Sequence, residues 1–315
     1  MKNKPLTIVM GCAIGLFLAY CKTPEPTIAK NQEVNYIPYY LKVYEADSLY
    51  IVKNYQSSYA VLDDLFKKYE ILNIEVYNEY ETYTASSVAT NHTKDIRKMV
   101  QNCFVKYGSL LHIFKQDSLL NRALVLSKFS DADIAQLYEE YRNNLDLELR
   151  HTVEIMLQQD QQCRIASVFN MDTMKKVDRI NRQKLQMILA EKGYPSRKKI
   201  GDYSLNQKNV NLNALFLHAD PIQLQEELLP KLKQYVINGD CPPYIYAGPF
   251  DKLMLSYGAE TQLYGTMNKN YKELMPLQYP KKLDSLRKSI GLPHIDYSKW
   301  RLKTKYNTTF DYDLK

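Results

Sequence analysis

The chain has 315 residues, of which 45% are hydrophobic and 24% charged, and this globular composition excludes a wholly disordered or collagen-like protein. Only 10 glycines and 13 prolines occur, which argues against a glycine-rich all-β sandwich. The net charge of +7 is mild, and no recognisable nucleic-acid-binding module accompanies it, so we do not expect nucleic acid as a partner.

Residues 1–20 predict a signal peptide. Lys2 and Lys4 make its start positive, and residues 6–20 carry no charge. An apolar run of this length suits the core of a signal peptide and is short for a membrane-spanning helix. The sequence therefore predicts an exported protein.

The end of this segment, Leu18-Ala19-Tyr20-Cys21, resembles a bacterial lipobox, in which the cysteine becomes the lipidated first residue of the mature chain. Tyr20 stands where lipoboxes carry a small residue, so ordinary cleavage and an uncleaved anchor remain alternatives. The preferred interpretation makes residues 21–35 a lipidated cysteine and a polar tether. We therefore expect an outer-membrane lipoprotein of the cell envelope that faces the periplasm and contacts the membrane through its lipid.

Three cysteines would remain in the mature domain, Cys103, Cys163 and Cys241. An odd number allows at most one internal disulfide, and none of them forms a C-x-x-C pair of the zinc or thioredoxin type. All three lie in mixed apolar surroundings, and we expect them to be small core residues.

Residues 36–125 predict helical hairpins. Apolar stripes indicate two helices between Ile37 and Tyr69, with a turn at residues 53–55 and the small Ser58 at the helix crossing. Residues 46–58 resemble a degenerate tetratricopeptide repeat, and a second copy is expected from residue 77 to 107. One or two copies cannot form a free-standing solenoid, so they must pack on the rest of the chain.

Residues 130–300 predict a compact helical domain. Ser130 is the expected N-cap of a helix that runs close to Arg164, with a break near Leu147. Caps, prolines and glycines predict further helices over residues 173–191, 209–218, 221–237, 243–258 and 281–290.

The only plausible strand pair combines residues 262–267 with 273–277 as a short β-hairpin. Residues 301–315 are expected to form a loosely held tail. The predicted fold class is therefore mainly α, with a repeat-like helical-hairpin region packed on a compact helical domain.

The region from residue 151 to 292 resembles an uncharacterised bacterial domain-of-unknown-function family. Dispersed motifs in a fixed order carry this resemblance: Asp160-Gln161-x-x-Arg164, Val177-Asp178-x-x-Asn181, Gly193-x-Pro195, His218-Ala219-Asp220, Asp251, Gly258-x-x-Gln262-x-Tyr264-Gly265-Thr266 and Asp284-x-x-Arg287-x-x-x-Gly291-Leu292. Lys252 and Met267 depart from the family pattern, which usually has arginine and glutamine there. The family has no known activity, so the resemblance implies a domain boundary and candidate residues.

Two helices carry the first candidate ligand-binding residues: Asp160, Gln161 and Arg164, followed by Asp178 and Asn181. Asp160 and Arg164 are four residues apart, so they can pair on one helix face. The pair is either a salt bridge that fixes helix packing or a clamp whose guanidinium is free for an anionic ligand. Asp178 is equally a candidate for a surface charge.

His218 is the most reactive candidate. At a helix end it is favoured by the helix dipole, with Asp220 capping the next helix. Alternatively, it is a general acid or base oriented by Asp220 or Asp251. No G-x-S-x-G, H-E-x-x-H or glycine-rich phosphate motif occurs, and nothing in the spacing demands a metal, so we expect neither a metal nor another cofactor.

Gln262, Tyr264 and Thr266 alternate and would face one side of a strand. They suit a ligand wall, or a hairpin that lies on polar helix ends. The 27 tyrosines are mainly a packing feature, and a carbohydrate- or peptide-binding surface is the alternative.

Two function classes remain. The first is a cell-envelope binding or scaffold protein whose partner is an envelope protein, a peptide or a glycan. The second is an envelope hydrolase in which His218 acts with Asp220 or Asp251. Convergence of Arg164, Asp178, His218, Asp251 and Gln262 on one pocket would favour a small-ligand site.

Overall fold

The computed structural model describes residues 34–74, 78–165, 167, 169–269 and 273–306. The predicted signal peptide, Cys21, most of the tether and the end of the tail lie outside these residues. Within them the protein is mainly helical with one short two-stranded sheet, as predicted. No helix of the described part is both long and apolar enough to cross a membrane.

The first two helices, α1 (Ile37–Ile51) and α2 (Tyr55–Lys68), form the predicted hairpin. Lys53 occupies the turn with a positive φ of 62°. The buried Ser58 donates a hydrogen bond of 2.9 Å to the carbonyl of Ala46. A small side chain at this position lets the two helices approach closely.

Five helices complete the first part of the chain: α3 (Glu79–Ala89), α4 (Ile96–Val105), α5 (Leu111–Gln116), α6 (Ser118–Ser127) and α7 (Asp131–Asn143). Helices α3 and α4 form the second predicted hairpin. Ser130 caps α7 as predicted, since its Oγ accepts from the N–H of Asp133 at 3.1 Å while the Asp133 carboxylate accepts from the N–H of Ser130 at 2.8 Å.

The second part contains α8 (Leu147–Gln162), α9 (Met171–Glu191), α10 (Arg197–Ile200), α11 (Asn213–Leu217), α12 (Pro221–Gln223), α13 (Leu229–Asn238), α14 (Tyr244–Ser256), α15 (Leu283–Ser289) and α16 (Tyr297–Tyr306). The predicted break before Leu147 separates α7 from α8. Pro230 lacks an N–H, and the π-helical turn Leu224–Leu228 precedes it between α12 and α13. The start of the expected loose tail is instead helical, because α16 extends to residue 306.

The predicted hairpin is displaced along the chain. Strands β1 (Asn268–Lys269) and β2 (Glu273–Leu274) pair antiparallel, whereas Gln262 makes only an isolated parallel bridge to Leu277. Residues 262–267 are therefore not the expected first strand. Four of their backbone N–H groups bond to side chains, as described below, and so are not available for a strand ladder.

Two hydrophobic clusters form the core of the described residues, which belong to one compact unit. The smaller cluster lies among α3–α7. The larger one combines α1 with α8 and the helices that follow it, and Tyr36 at the start of α1 donates its N–H to the carbonyl of Ile237 at 2.8 Å. The predicted regions 36–125 and 130–300 therefore do not have a hydrophobic core each, because the larger cluster contains residues from both. Cys103, Cys163 and Cys241 are buried and free, as expected for small core residues.

Candidate functional site

Four residues from three separate motifs meet where α8, α9 and α11 approach one another: Asp160, Arg164, Asp178 and His218. Asp160 lies in the last turn of α8 and Arg164 follows the end of that helix, and their side chains pair at 2.9 Å. Asp178 on α9 accepts from Nη2 of Arg164 at 2.7 Å. His218, directly after α11, places Nδ1 2.9 Å from Oδ1 of Asp160.

Asp160 is the centre of this arrangement and is only 1% exposed. Besides His218 and Arg164, the side-chain amide of Gln161 donates to its Oδ2 at 2.7 Å. Burial by itself would raise the pKa of Asp160. The hydrogen bond from His218 and the charges of His218 and Arg164 outweigh burial and lower that pKa, so the carboxylate is ionised at neutral pH.

The side chain of His218 has one hydrogen-bond partner among the described residues, the carboxylate of Asp160. Its side chain is 28% exposed, and Nε2 has no protein partner in this part of the chain. The carboxylate that orients the imidazole is thus Asp160, and the expectation of Asp220 or Asp251 in this role is wrong. The distance of 58 residues between His218 and Asp160 explains why sequence proximity pointed to other carboxylates.

Arg164 is held between Asp160 and Asp178, and its Nη1 also donates to the Asp160 carbonyl at 2.8 Å. Burial would lower the pKa of Arg164, but the hydrogen bond that it donates to Asp178 and the two carboxylate charges raise it. The structure therefore shows the salt bridge rather than a guanidinium free to hold a ligand.

Lys252 on α14 is a further member that the sequence did not single out as a site residue. Its Nζ donates to the carbonyl of Leu217, the residue before His218. Burial and the neighbouring charge of Arg164 lower the pKa of Lys252, although Asp178 and Asp160 act in the opposite direction. Among the described residues Lys252 has no ion-pair partner. The only sequence signal was its departure from the family pattern.

We call Asp160, Arg164, Asp178, His218 and Lys252 the His218 cluster.

Asp220 and Asn181 have structural contacts beside the cluster. Asp220 caps α12 by accepting from the N–H of Ile222 at 3.1 Å. Asn181 is buried and donates to the carbonyl of Met156 at 3.2 Å, which joins α9 to α8.

Asp251 belongs to a different part of the structure, although it precedes Lys252. It is fully buried, and its oxygens accept from the N–H groups of Leu263, Tyr264 and Thr266 at 2.8–2.9 Å and from the Thr266 hydroxyl at 2.8 Å. All of its hydrogen bonds hold one loop, so Asp251 does not join the His218 cluster.

Gln262 also fixes this loop. Its side-chain amide donates to the carbonyls of Met267 and Met275, each at 2.8 Å, and accepts from the N–H of Met267 at 2.8 Å. The Tyr264 ring packs 5.4 Å from that of Phe250. The expectation that Gln262, Tyr264 and Thr266 share one strand face is wrong, because the segment folds around side-chain acceptors instead of a neighbouring strand.

The His218 cluster combines a buried carboxylate, an oriented imidazole and a lysine without a counter-ion, which are groups for proton transfer and anion binding. Within the described residues, no three histidine, cysteine, aspartate or glutamate side chains form a group that would hold a metal ion. No protein-family model, no curated protein and no solved structure matches the chain.

Proposed function

We propose that this chain is a lipid-anchored protein of the cell envelope that binds an anionic ligand at the His218 cluster. The observation that carries the proposal is Lys252, a half-buried cation with no carboxylate partner among the described residues. A desolvated ammonium without a counter-ion is unfavourable, and a bound anion would compensate its charge.

The rest of the cluster supports the same ligand chemistry. Arg164 pairs with both Asp160 and Asp178, so these carboxylates repel an incoming anion less. The Nε2 atom of His218 is unpartnered and adds a hydrogen-bond donor when protonated there. A carboxylate or phosphate group suits such a pair of donors. That three dispersed motifs meet here also supports the resemblance to the uncharacterised family as a shared site.

Thermal unfolding of the full-length chain at low ionic strength tests anion binding. The Tm in added phosphate or acetate is compared with the Tm in the same concentration of chloride. We expect phosphate to raise the Tm of the wild type. Lys252→Met keeps the length of the side chain and should lose this shift, whereas Lys281→Met, at an exposed site, should keep it. Equal shifts in all three proteins would contradict the anion site and leave a scaffold role for the helical hairpins.

The lipid anchor is tested separately at Cys21. Metabolic labelling with a fatty acid should mark the wild type and leave Cys21→Ala unmarked. Equal labelling of the two would refute lipidation at this residue. Membrane fractionation of the cells that make the wild type is a separate measurement, which shows whether the chain reaches the outer membrane.

The second candidate function is an envelope hydrolase, favoured by the pairing of His218 with the buried Asp160. A carboxylate on Nδ1 fixes the imidazole with Nε2 as the acid–base atom. Hydrolysis of p-nitrophenyl acetate and p-nitrophenyl phosphate by the wild type should then be lost in His218→Ala. Asp160 would act as a positioning residue, so Asp160→Asn should lower kcat and change the pH profile while KM changes little. Equal rates in the wild type and His218→Ala would exclude this function.

A further inference from the structure

A concave site lies away from the His218 cluster, between the ends of α2 and α4 on one side and α7, the segment that follows it, and α10 on the other. Its volume is about 610 Å³, within the range of roughly 300–1,000 Å³ that is typical of small-molecule sites. We call it the tyrosine cleft, after Tyr69, Tyr107 and Tyr141, which line it together with Asn73 and Lys106.

The hydroxyls of Tyr69, Tyr107 and Tyr141 have no hydrogen-bond partner among the described residues. Tyr141 is the clearest case, because only 4% of this residue is exposed. The three hydroxyl oxygens are not fully buried, so each can bond to water or to a ligand. Together they form a set of donors and acceptors that the fold itself does not use.

Two of the tyrosine rings, those of Tyr69 and Tyr107, each pack against another tyrosine ring outside the cleft. Tyr69 packs against Tyr36 with a centroid distance of 5.3 Å, and Tyr107 packs against Tyr80 at 4.8 Å. These contacts fix the ring faces before any ligand binds, which reduces the entropy lost on binding.

Tyr141 is positioned by a glycine. A Cβ atom at Gly108 would lie only 2.3 Å from Cε1 of the tyrosine ring, so only glycine leaves room for the ring there. Gly108 also has a positive φ of 63°. The position of the Tyr141 ring is therefore fixed by packing, like those of the Tyr69 and Tyr107 rings.

Asn73 and Lys106 complete the polar lining. Asn73 is 3% exposed, and its Oδ1 accepts from the N–H of Tyr80 at 3.4 Å, while its Nδ2 has no partner among the described residues. Lys106 is exposed and makes no ion pair with any described side chain. The cleft thus offers an amide donor and a free cation beside the tyrosines.

We propose that the tyrosine cleft binds an oligosaccharide of about two or three sugar units, a size set by its volume. A sugar ring has apolar C–H faces that pack on aromatic rings and hydroxyl edges that need several donors and acceptors. Fixed rings with free hydroxyls supply both. Lys106 favours an acidic sugar, because its ammonium has no counter-ion in the described structure.

Titration calorimetry of the full-length chain in detergent tests the proposal with three probes: trigalacturonic acid, N,N′,N″-triacetylchitotriose and tetraalanine, a peptide of comparable size. At least one trisaccharide should bind the wild type. Tyr107→Phe removes only the hydroxyl and should weaken that binding about fivefold, the effect of losing one neutral hydrogen bond. Tyr107→Ala also removes the stacking face and should weaken it more than tenfold.

Tyr279→Phe, at an exposed tyrosine outside the cleft, is the matched control and should bind like the wild type. Three outcomes overturn the proposal: neither trisaccharide binds the wild type, Tyr107→Phe and Tyr279→Phe bind alike, or tetraalanine binds more tightly than both sugars. Lys252→Met should bind the sugars normally, because this site is separate from the His218 cluster.

Discussion

Oδ2 of Asp47 accepts a hydrogen bond of 2.8 Å from Nε of Arg301 and so joins α1 to α16. The hydroxyl of Tyr297 donates to the same carboxylate oxygen. Asp47 is only 3% exposed. A buried carboxylate near the start of the described chain thus holds the helix near its end.

Asp47→Ala should lower the free energy of unfolding by about 3 kcal/mol, because it leaves the largely buried Arg301 without this partner. Urea unfolding followed by circular dichroism measures the change. Glu45→Ala on the same helix breaks the exposed pair with Lys42 and should change stability by less than about 1 kcal/mol. Equal effects of the two substitutions would show that the contact between α1 and α16 contributes little to the free energy of unfolding.

Gly108→Ala and Gly258→Ala separate crowding from backbone strain. Both glycines have positive φ, 63° and 77°, but a Cβ at Gly258 meets nothing within 4 Å, whereas one at Gly108 collides with Tyr141. Gly258→Ala should cost about 1 kcal/mol from the left-handed backbone alone. Gly108→Ala should cost about 2 kcal/mol more from overpacking. If urea unfolding shows that the two substitutions lower the free energy of unfolding by similar amounts, the Tyr141 ring moves aside without cost.

Glu79→Gln tests a buried carboxyl group. Glu79 accepts from the Tyr39 hydroxyl at 2.6 Å, but its other oxygen is buried without a partner. Burial raises the pKa of Glu79 above its ordinary value of 4.5. The folded state therefore favours the protonated form, and the wild type loses stability as the pH rises above the unfolded pKa towards the raised folded pKa.

The permanently neutral glutamine avoids this loss. We expect Glu79→Gln to be more stable than the wild type at pH 7, with the difference shrinking near pH 4. Glu45→Gln at an exposed site should show no such trend. A pH-independent difference for Glu79→Gln would indicate that hydrogen bonding, not ionisation, controls the effect.

Asp160 should behave in the opposite way. Its pKa is lowered in the folded protein, so its stabilising contribution is present above the unfolded pKa of about 3.9 and is lost as the pH falls through the folded value. Asp160→Asn should therefore be destabilised at pH 7 and lose less stability than the wild type between pH 7 and pH 3. Asp64 is exposed and pairs with Lys68, so Asp64→Asn serves as the control. It should leave the loss of stability between pH 7 and pH 3 as it is in the wild type.

The sequence was informative wherever a local signal decides the structure. The Ser130 N-cap, the Lys53 turn and the small Ser58 depend on residues within a few positions or on one hairpin, and all three were predicted. The hairpin near residue 268 was displaced because its neighbouring loop is organised by Asp251, a residue on another element.

The candidate site was predicted only in part for the same reason. Helical spacing paired Asp160 with Arg164, but it could not show that His218 approaches the same carboxylate from α11. Asp251 and Lys252 are adjacent in sequence yet reach different places, one to a loop and the other to the His218 cluster. The tyrosine cleft is assembled from several elements, so composition alone indicated only that tyrosines are abundant.

The contacts of α1 also set the order in which the chain can fold. The hydroxyl of Tyr40 donates to the carbonyls of Val236 and Cys241, each at 3.0 Å, and these residues follow it by 196 and 201 positions. At synthesis rates of roughly 5–20 residues per second, the ribosome takes about 10 to 40 seconds to make that intervening stretch. Throughout this time Tyr40 lacks these native partners, although α2 can already pack on α1. The protein therefore depends on other contacts to shield this part of α1 until its second half has been made.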